Sequence, residues 1–227
     1  MKTYTITPLL ILNIVSVVFY YWIVSIIRIE VNFKTMFATN DAITYREVAH
    51  WISEGASTEK TAIRPILYPL FLVTSSKIGG VFGIWFFQFI MWLLSINLVF
   101  LALKILTKSH FWAYSGALIL LSNLSFIALT FHALTEVLSV FLLASIIYIS
   151  FKNKEGVRSF SFFRNLILFF VLLTLVKPVF YIPLLGLIFI ISPLLYFKLI
   201  FQNGKNIMII GLILSPLIVQ LALVKYK

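Results

Sequence analysis

The chain has 227 residues, of which 62% are hydrophobic and only 11% are charged. A soluble domain carries about 25% charged residues, so this composition indicates that lipid solvates much of the surface. Cysteine is absent, which excludes disulfides, thiolate metal sites and cysteine nucleophiles. The formal net charge of +11 is too scattered for a nucleic-acid groove. It favours membrane lipids with anionic head groups and phosphate-bearing lipid substrates as partners.

The apolar runs predict an all-α, polytopic membrane protein, because a spanning helix needs about 20 mostly apolar residues. The first run is expected to be a retained signal anchor, and Lys177-Pro178 separates the fifth helix from the sixth. A single helix over 165–197 would be about 50 Å long, against a hydrocarbon core of about 30 Å. Proline also disfavours a continuous helix at this point. About seven transmembrane helices are predicted, near 7–27, 82–103, 111–131, 134–151, 161–176, 178–197 and 206–224.

One polar stretch, residues 28–64, interrupts the apolar sequence and holds five of the seven acidic residues. These acids are Glu30, Asp41, Glu47, Glu54 and Glu59. Lysine and arginine in the other short loops place this stretch outside if the N-terminus is inside. We therefore expect a multi-pass protein of the cell membrane whose active face is extracytoplasmic, with an outer loop over residues 28–80.

The outer loop is predicted to contain two short helices. Apolar residues between positions 41 and 54 recur at three- and four-residue intervals, which predicts an amphipathic helix at the membrane surface. Asn40, Asp41 or a capping box that starts at Thr44 would cap this helix, and Gly55 would end it.

The second helix would begin near Pro65 and run to about Lys77, too short to span and therefore interfacial. Gly79-Gly80 and Gly83 are expected to break it before the next spanning helix. A glycine packing motif over 79–83 is an alternative to a plain hinge.

Four features of the chain could carry chemistry, and each has a plainer structural alternative. Asp41 could act as a general base or cap the loop helix. Glu136 could be a site carboxylate or an interfacial charge at a helix N-terminus. Arg64, with Lys60 upstream, could bind phosphate or anchor the chain at the membrane surface. Lys177 could pair with a carboxylate or a lipid phosphate, or be a charge at a loop end.

The order of these motifs resembles the GT-C membrane glycosyltransferases, which include the protein O-mannosyltransferases and the lipid A aminoarabinose transferases. Asp41-Ala-Ile-Thr-Tyr45 matches an outer-loop aspartate that opens a helix in that family, and Arg64-Pro-Ile-Leu-Tyr68-Pro matches the basic motif that opens the next helix. Glu136 corresponds to a second acid after the third spanning helix. Lys177-Pro178 corresponds to a basic-proline pair between the fifth and sixth helices.

The resemblance implies roles for these residues. Asp41 would be the catalytic base and Glu136 a second acidic site residue. Some members bind a divalent metal between such acids, and this possibility stays open for the two carboxylates. The substrate, a polyprenyl-phosphate-linked sugar, would be bound by Arg64, Lys60, Tyr45, Tyr68 and Lys177.

Departures from the family pattern leave several functions open. Ala42 stands where a second acid is usual, and Ile66 replaces a proline. Family members usually continue with more helices, so we expect residues 1–227 to be a single transmembrane module. It would be a minimal enzyme, a fragment, or a subunit that works with another membrane protein. The leading hypothesis is sugar transfer to a lipid, glycan or protein; a non-catalytic subunit or a lipid-linked sugar translocase is the alternative. A small-solute transporter ranks lower because the charges gather at one face.

Overall fold

The computed structural model describes residues 6–55, 64–152, 160–184 and 186, and within these ranges it contains helices but no β-strand. The fold is therefore all-α over the described part of the chain, as predicted. In chain order, the α-helices are α1 (Ile6–Ile27), α2 (Phe33–Met36), α3 (Asn40–Glu54), α4 (Leu67–Thr107), α5 (His110–Leu121), α6 (Leu124–Ala128), α7 (Glu136–Lys152) and α8 (Phe160–Val176). Short 3-10 turns cover Leu129–Phe131 and Pro178–Phe180.

Two of these helices, α1 and α4, are long and apolar enough to cross a membrane. A third crossing results if α5 and the segment after it count as one bent span. By contrast α7 and α8 have 17 residues each, or about 25 Å, less than a hydrocarbon core of about 30 Å. The described residues thus support two or three crossings rather than about seven. The predicted helix at 206–224 and most of the one at 178–197 lie outside the described residues.

The spanning helix predicted near 111–131 is broken in the structure into α5, α6 and a 3-10 turn. The chain bends by 58° between α5 and α6. Asn123 sits at the bend with an extended ψ, and its side chain accepts a hydrogen bond from the backbone N–H of Phe126 at 3.1 Å. An asparagine that caps a new helix in this way gives the backbone an alternative to continuing the old one.

The break predicted at Gly79-Gly80 is present as a kink inside α4. Gly80 has φ +57°, in the left-handed region that glycine adopts without steric cost. Gly83, however, lies within the helix after the kink, so the prediction that it also breaks the chain is wrong. A Cβ at Gly83 would overlap the backbone carbonyl oxygen of Ser75. Gly79 and Gly80 therefore form the kink, whereas Gly83 allows close packing against the backbone of Ser75.

The amphipathic helix predicted in the outer loop is α3, and it ends at Gly55 as expected. Gly55 has φ +68°, and its N–H donates to the carbonyl of Trp51 at 2.8 Å. The N-terminal cap differs from the prediction, because the hydroxyl of Thr39 accepts the N–H of Ala42 at 3.1 Å. The side chain of Asp41, in the first turn of the helix, is left available for another partner.

The core is built around α4, which packs against α1, α3, α5, α7 and α8. Between α1 and α4 lies a buried polar contact within an aromatic cluster. The Tyr20 hydroxyl is 2.6 Å from the Thr130 hydroxyl and accepts a hydrogen bond from Trp85 Nε1 at 3.0 Å. These contacts fix the segment that leads into α7 against the two long helices.

Candidate functional site

The first half of the candidate site is an ion pair on α3. Asp41 and Tyr45 are one turn apart and so share a face of the helix. An Asp41 carboxylate oxygen lies 2.5 Å from Arg64 Nη2. The Arg64 guanidinium also lies over the Tyr45 ring, 5.0 Å from its centroid. The structure therefore brings together the aspartate, the arginine and the first tyrosine that the sequence singled out.

Tyr68 connects this ion pair to the interior. Its ring meets that of Tyr45 edge-on, with 5.2 Å between the ring centroids. The Tyr68 side chain is fully buried, and its hydroxyl has no hydrogen-bond partner among the described residues. A buried unpaired hydroxyl costs about 1–3 kcal/mol, so this atom is expected to find a partner.

The second half of the site is an ion pair between Glu136 and Lys177, whose Oε1 and Nζ atoms are 2.7 Å apart. Glu136 is the first residue of α7, where the helix dipole favours a carboxylate. Lys177 lies in extended backbone between α8 and the 3-10 turn at Pro178. The other carboxylate oxygen of Glu136, Oε2, is buried and has no hydrogen-bond partner among the described residues.

Two hydrogen bonds attach the outer loop to the start of α7. The Nδ1 atom of His132 lies 2.8 Å from the carbonyl oxygen of Thr35, and the N–H of Ala133 donates to the carbonyl of Met36 at 2.8 Å. These contacts join α2 to the segment just before Glu136. His132 was not among the predicted site residues. The only feature of the sequence that points to it is its position four residues before Glu136.

The charges at this end of the helix assembly form two ion pairs, which are linked by the hydrogen bonds between α2 and the segment before α7. The Asp41 side chain is 61% exposed, so its pair with Arg64 is worth only about 0.2–1 kcal/mol. An incoming phosphate can therefore replace the carboxylate on the guanidinium, since arginine binds phosphate with several donors. The residues at this site are Asp41, Arg64, Tyr45, Tyr68, Glu136 and Lys177.

A divalent metal does not fit these residues as the structure arranges them. Each carboxylate already contacts a cation, Arg64 in one case and Lys177 in the other. In the ranges that the structure describes, no three histidine, aspartate or glutamate side chains form a group that could hold a metal ion. Lys60, which was expected to bind substrate, lies outside the described residues.

No protein-family model, curated protein or solved structure matches the chain. The chemical roles expected for these residues therefore stay predictions. The motif order and the contacts of the side chains themselves are the basis for the functional proposal that follows.

Proposed function

We propose that the chain is a membrane glycosyltransferase, which moves a sugar from a polyprenyl-phosphate donor to an acceptor hydroxyl at the extracytoplasmic face. One observation carries the proposal. The pairs Asp41–Arg64 and Glu136–Lys177 come from four separate parts of the sequence, and hydrogen bonds from the segment before α7 to α2 bring them to the same end of an otherwise apolar protein. Ionisable groups held in this way at a membrane helix end are candidates for function by default.

The cations suit the phosphate of the donor. Arg64 offers a planar set of donors, and its stacking on Tyr45 fixes the guanidinium with little loss of entropy on binding. Lys177 offers a second positive charge for the same phosphate. As the bond from the sugar to the phosphate breaks, negative charge grows on the phosphate oxygens, and preorganised cations lower the energy of that state.

The carboxylate of Asp41 suits the acceptor. When phosphate occupies the guanidinium of Arg64, the aspartate is released to accept a proton from the acceptor hydroxyl. The acceptor oxygen then forms a bond to the anomeric carbon of the sugar, and polyprenyl phosphate leaves with the electron pair of the broken bond. Binding of the donor phosphate to Arg64 thereby frees the base.

The unpartnered oxygens suit the sugar itself. Tyr68 Oη and Glu136 Oε2 are both buried, and neither has a hydrogen-bond partner among the described residues. Sugar hydroxyls can donate to a carboxylate and accept from a phenol, so a bound sugar would satisfy both atoms. A site that pairs its polar groups only with the correct ligand also rejects analogues that lack the hydroxyl.

The test uses the full chain in proteoliposomes, with a panel of polyprenyl-phosphate sugars that carry a label on the sugar. Donor binding and the release of unlabelled polyprenyl phosphate are measured separately. Asp41→Asn is expected to lower the release rate by about 10²–10⁴-fold with donor binding retained, as for loss of a general base. Glu30→Gln, an exposed acid in the same loop, serves as the matched control and should keep wild-type rates.

Arg64→Gln is expected to weaken donor binding about tenfold to hundredfold, because a hydrogen bond to a charged group contributes about 1.5–3 kcal/mol. Full activity in correctly inserted Asp41→Asn and Arg64→Ala variants would refute the proposal. Donor binding that depends on Arg64 without any sugar release would instead favour the alternative, a non-catalytic subunit or translocase.

A further inference from the structure

A concave site lies between α2, α3 and the kinked part of α4. Its cavity is about 370 Å³, within the range of about 300–1,000 Å³ common for small-molecule sites. Apolar side chains, Phe37, Leu72 and Ile84 among them, line much of the wall, and the cations Arg46 and Lys77 complete it. We infer that this groove binds an anionic lipid, with its phosphate at the two cations and its chain along the apolar wall.

Arg46 is held in place without being neutralised. Its guanidinium carbon lies 5.0 Å from the ring centroid of Phe33 and 5.6 Å from that of Phe37. Such cation–π contacts orient the group but leave its N–H donors free for another partner. Within the described ranges, neither Arg46 nor Lys77 forms an ion pair with a carboxylate. Glu54, one helical turn after the groove residue His50, is itself engaged by that histidine at 3.1 Å.

The apolar part of the groove continues into exposed hydrophobic surface. Phe33 lines the groove and is 55% exposed; Ile78 and Phe82, next in sequence to the lining residues Lys77 and Val81, are 72% and 59% exposed. Exposed apolar surface beside a kinked membrane helix is suited to contact with lipid chains. A lipid can therefore keep its tail in the bilayer while its head group reaches the cations. A soluble phosphate compound can reach the cations but has no tail to contact the apolar surface.

The groove and the Asp41–Arg64 pair use different residues of α3. Arg46, Ala49 and His50 lie along the side of α3 that faces the groove, whereas Asp41 and Tyr45 contact Arg64. The inference does not depend on glycosyl transfer. A lipid in the groove would bridge α3 and both sides of the kink at Gly80, and so hold the outer helix against the membrane helix.

The test measures binding of radiolabelled dodecyl phosphate to the full chain in a neutral detergent. Replacing both cations in Arg46→Gln/Lys77→Gln is expected to weaken binding at least about tenfold, since each charged contact contributes about 1.5–3 kcal/mol. The control Lys104→Gln/Lys108→Gln removes two cations at the far end of α4 and should bind as the wild type does. Ala49→Phe, which fills the groove without changing charge, should also weaken binding.

Three results would overturn the inference. The first is unchanged affinity in the Arg46/Lys77 variant. The second is that inorganic phosphate displaces the labelled ligand at the same concentration as unlabelled dodecyl phosphate does. This result would show that the protein does not recognise the alkyl chain. The third is loss of this binding in Arg64→Gln, which would assign the lipid to the other site. Retained binding in Arg64→Gln supports a separate groove whether or not the protein transfers sugars.

Discussion

The ion pair between Glu136 and Lys177 gives the sharpest quantitative prediction. The two charged atoms are 2.7 Å apart, and the side chains are 37% and 32% exposed. Unit charges about 4 Å apart attract by about 4 kcal/mol at an effective dielectric constant of about 20, before desolvation and entropy costs. Fully exposed pairs retain only about 0.2–1 kcal/mol of this. For a pair that is two-thirds buried, we expect a coupling free energy of about 1–2 kcal/mol.

A double-mutant cycle measures this coupling directly. Glu136→Gln, Lys177→Gln and the double variant are unfolded reversibly by SDS in mixed micelles, and the free energies of unfolding are compared. Glutamine keeps the shape of each site while removing the charge. A parallel cycle of Glu136 with Lys152, at the opposite end of α7, should be additive within about 0.3–0.5 kcal/mol. A coupling below about 0.3 kcal/mol for Glu136 and Lys177 would refute the ion pair and the convergence of α7 with the end of α8.

Three further predictions concern the elements that position the site. Gly83→Leu should destabilise the fold by about 1–3 kcal/mol, because the new side chain would collide with the backbone of Ser75. Reversible SDS unfolding measures this change, and unchanged stability would contradict the packing at the kink. Thr39→Ala should lower the free energy of unfolding by about 1 kcal/mol and speed hydrogen exchange in the first turn of α3. Unchanged exchange would mean that another residue caps the helix. Tyr20→Phe should lower the free energy of unfolding by about 1 kcal/mol, because it leaves the indole N–H of Trp85 unpaired. If the effects of Tyr20→Phe and Trp85→Phe on the free energy of unfolding simply add in the double variant, that hydrogen bond is contradicted.

The parts of the fold that follow from local chemistry were predictable from the sequence. The three- and four-residue spacing of apolar residues identified α3, and Gly55 marked its end. Gly79-Gly80 marked the kink and Lys177-Pro178 marked the end of α8, because glycine and proline change the backbone wherever they stand.

Prediction from the sequence failed where two local features of the sequence favour different structures. Thr39, Asn40 and Asp41 are all good capping residues, and only the path of the chain decides which one caps. At Asn123 a capping residue is surrounded by apolar neighbours, so the hydrophobic run hid the bend between α5 and α6. Within the described residues, fewer membrane crossings are supported than the apolar runs predicted, because a bend separates α5 from α6 and because α7 and α8 have only 17 residues each.

The pairing of site residues could not be worked out from sequence spacing. Glu136 and Lys177 are 41 positions apart and meet only because α7 and α8 pack side by side. Similarly, the contact of His132 with Thr35 spans 97 positions, and the stacking of Arg46 on two phenylalanines depends on how α2 folds against α3. The motif order supplied the candidates Asp41 and Glu136, but their partners emerged from the tertiary fold.

The central proposal is that Arg64 and Lys177 hold one donor phosphate beside Asp41. The most direct test is an experimental density map of the full chain in lipid nanodiscs with added polyprenyl phosphate. The proposal predicts phosphate density within hydrogen-bond distance of the Arg64 guanidinium and the Lys177 ammonium, with the Asp41 carboxylate moved off the guanidinium. Phosphate density away from both cations, with the two ion pairs unchanged, would contradict it.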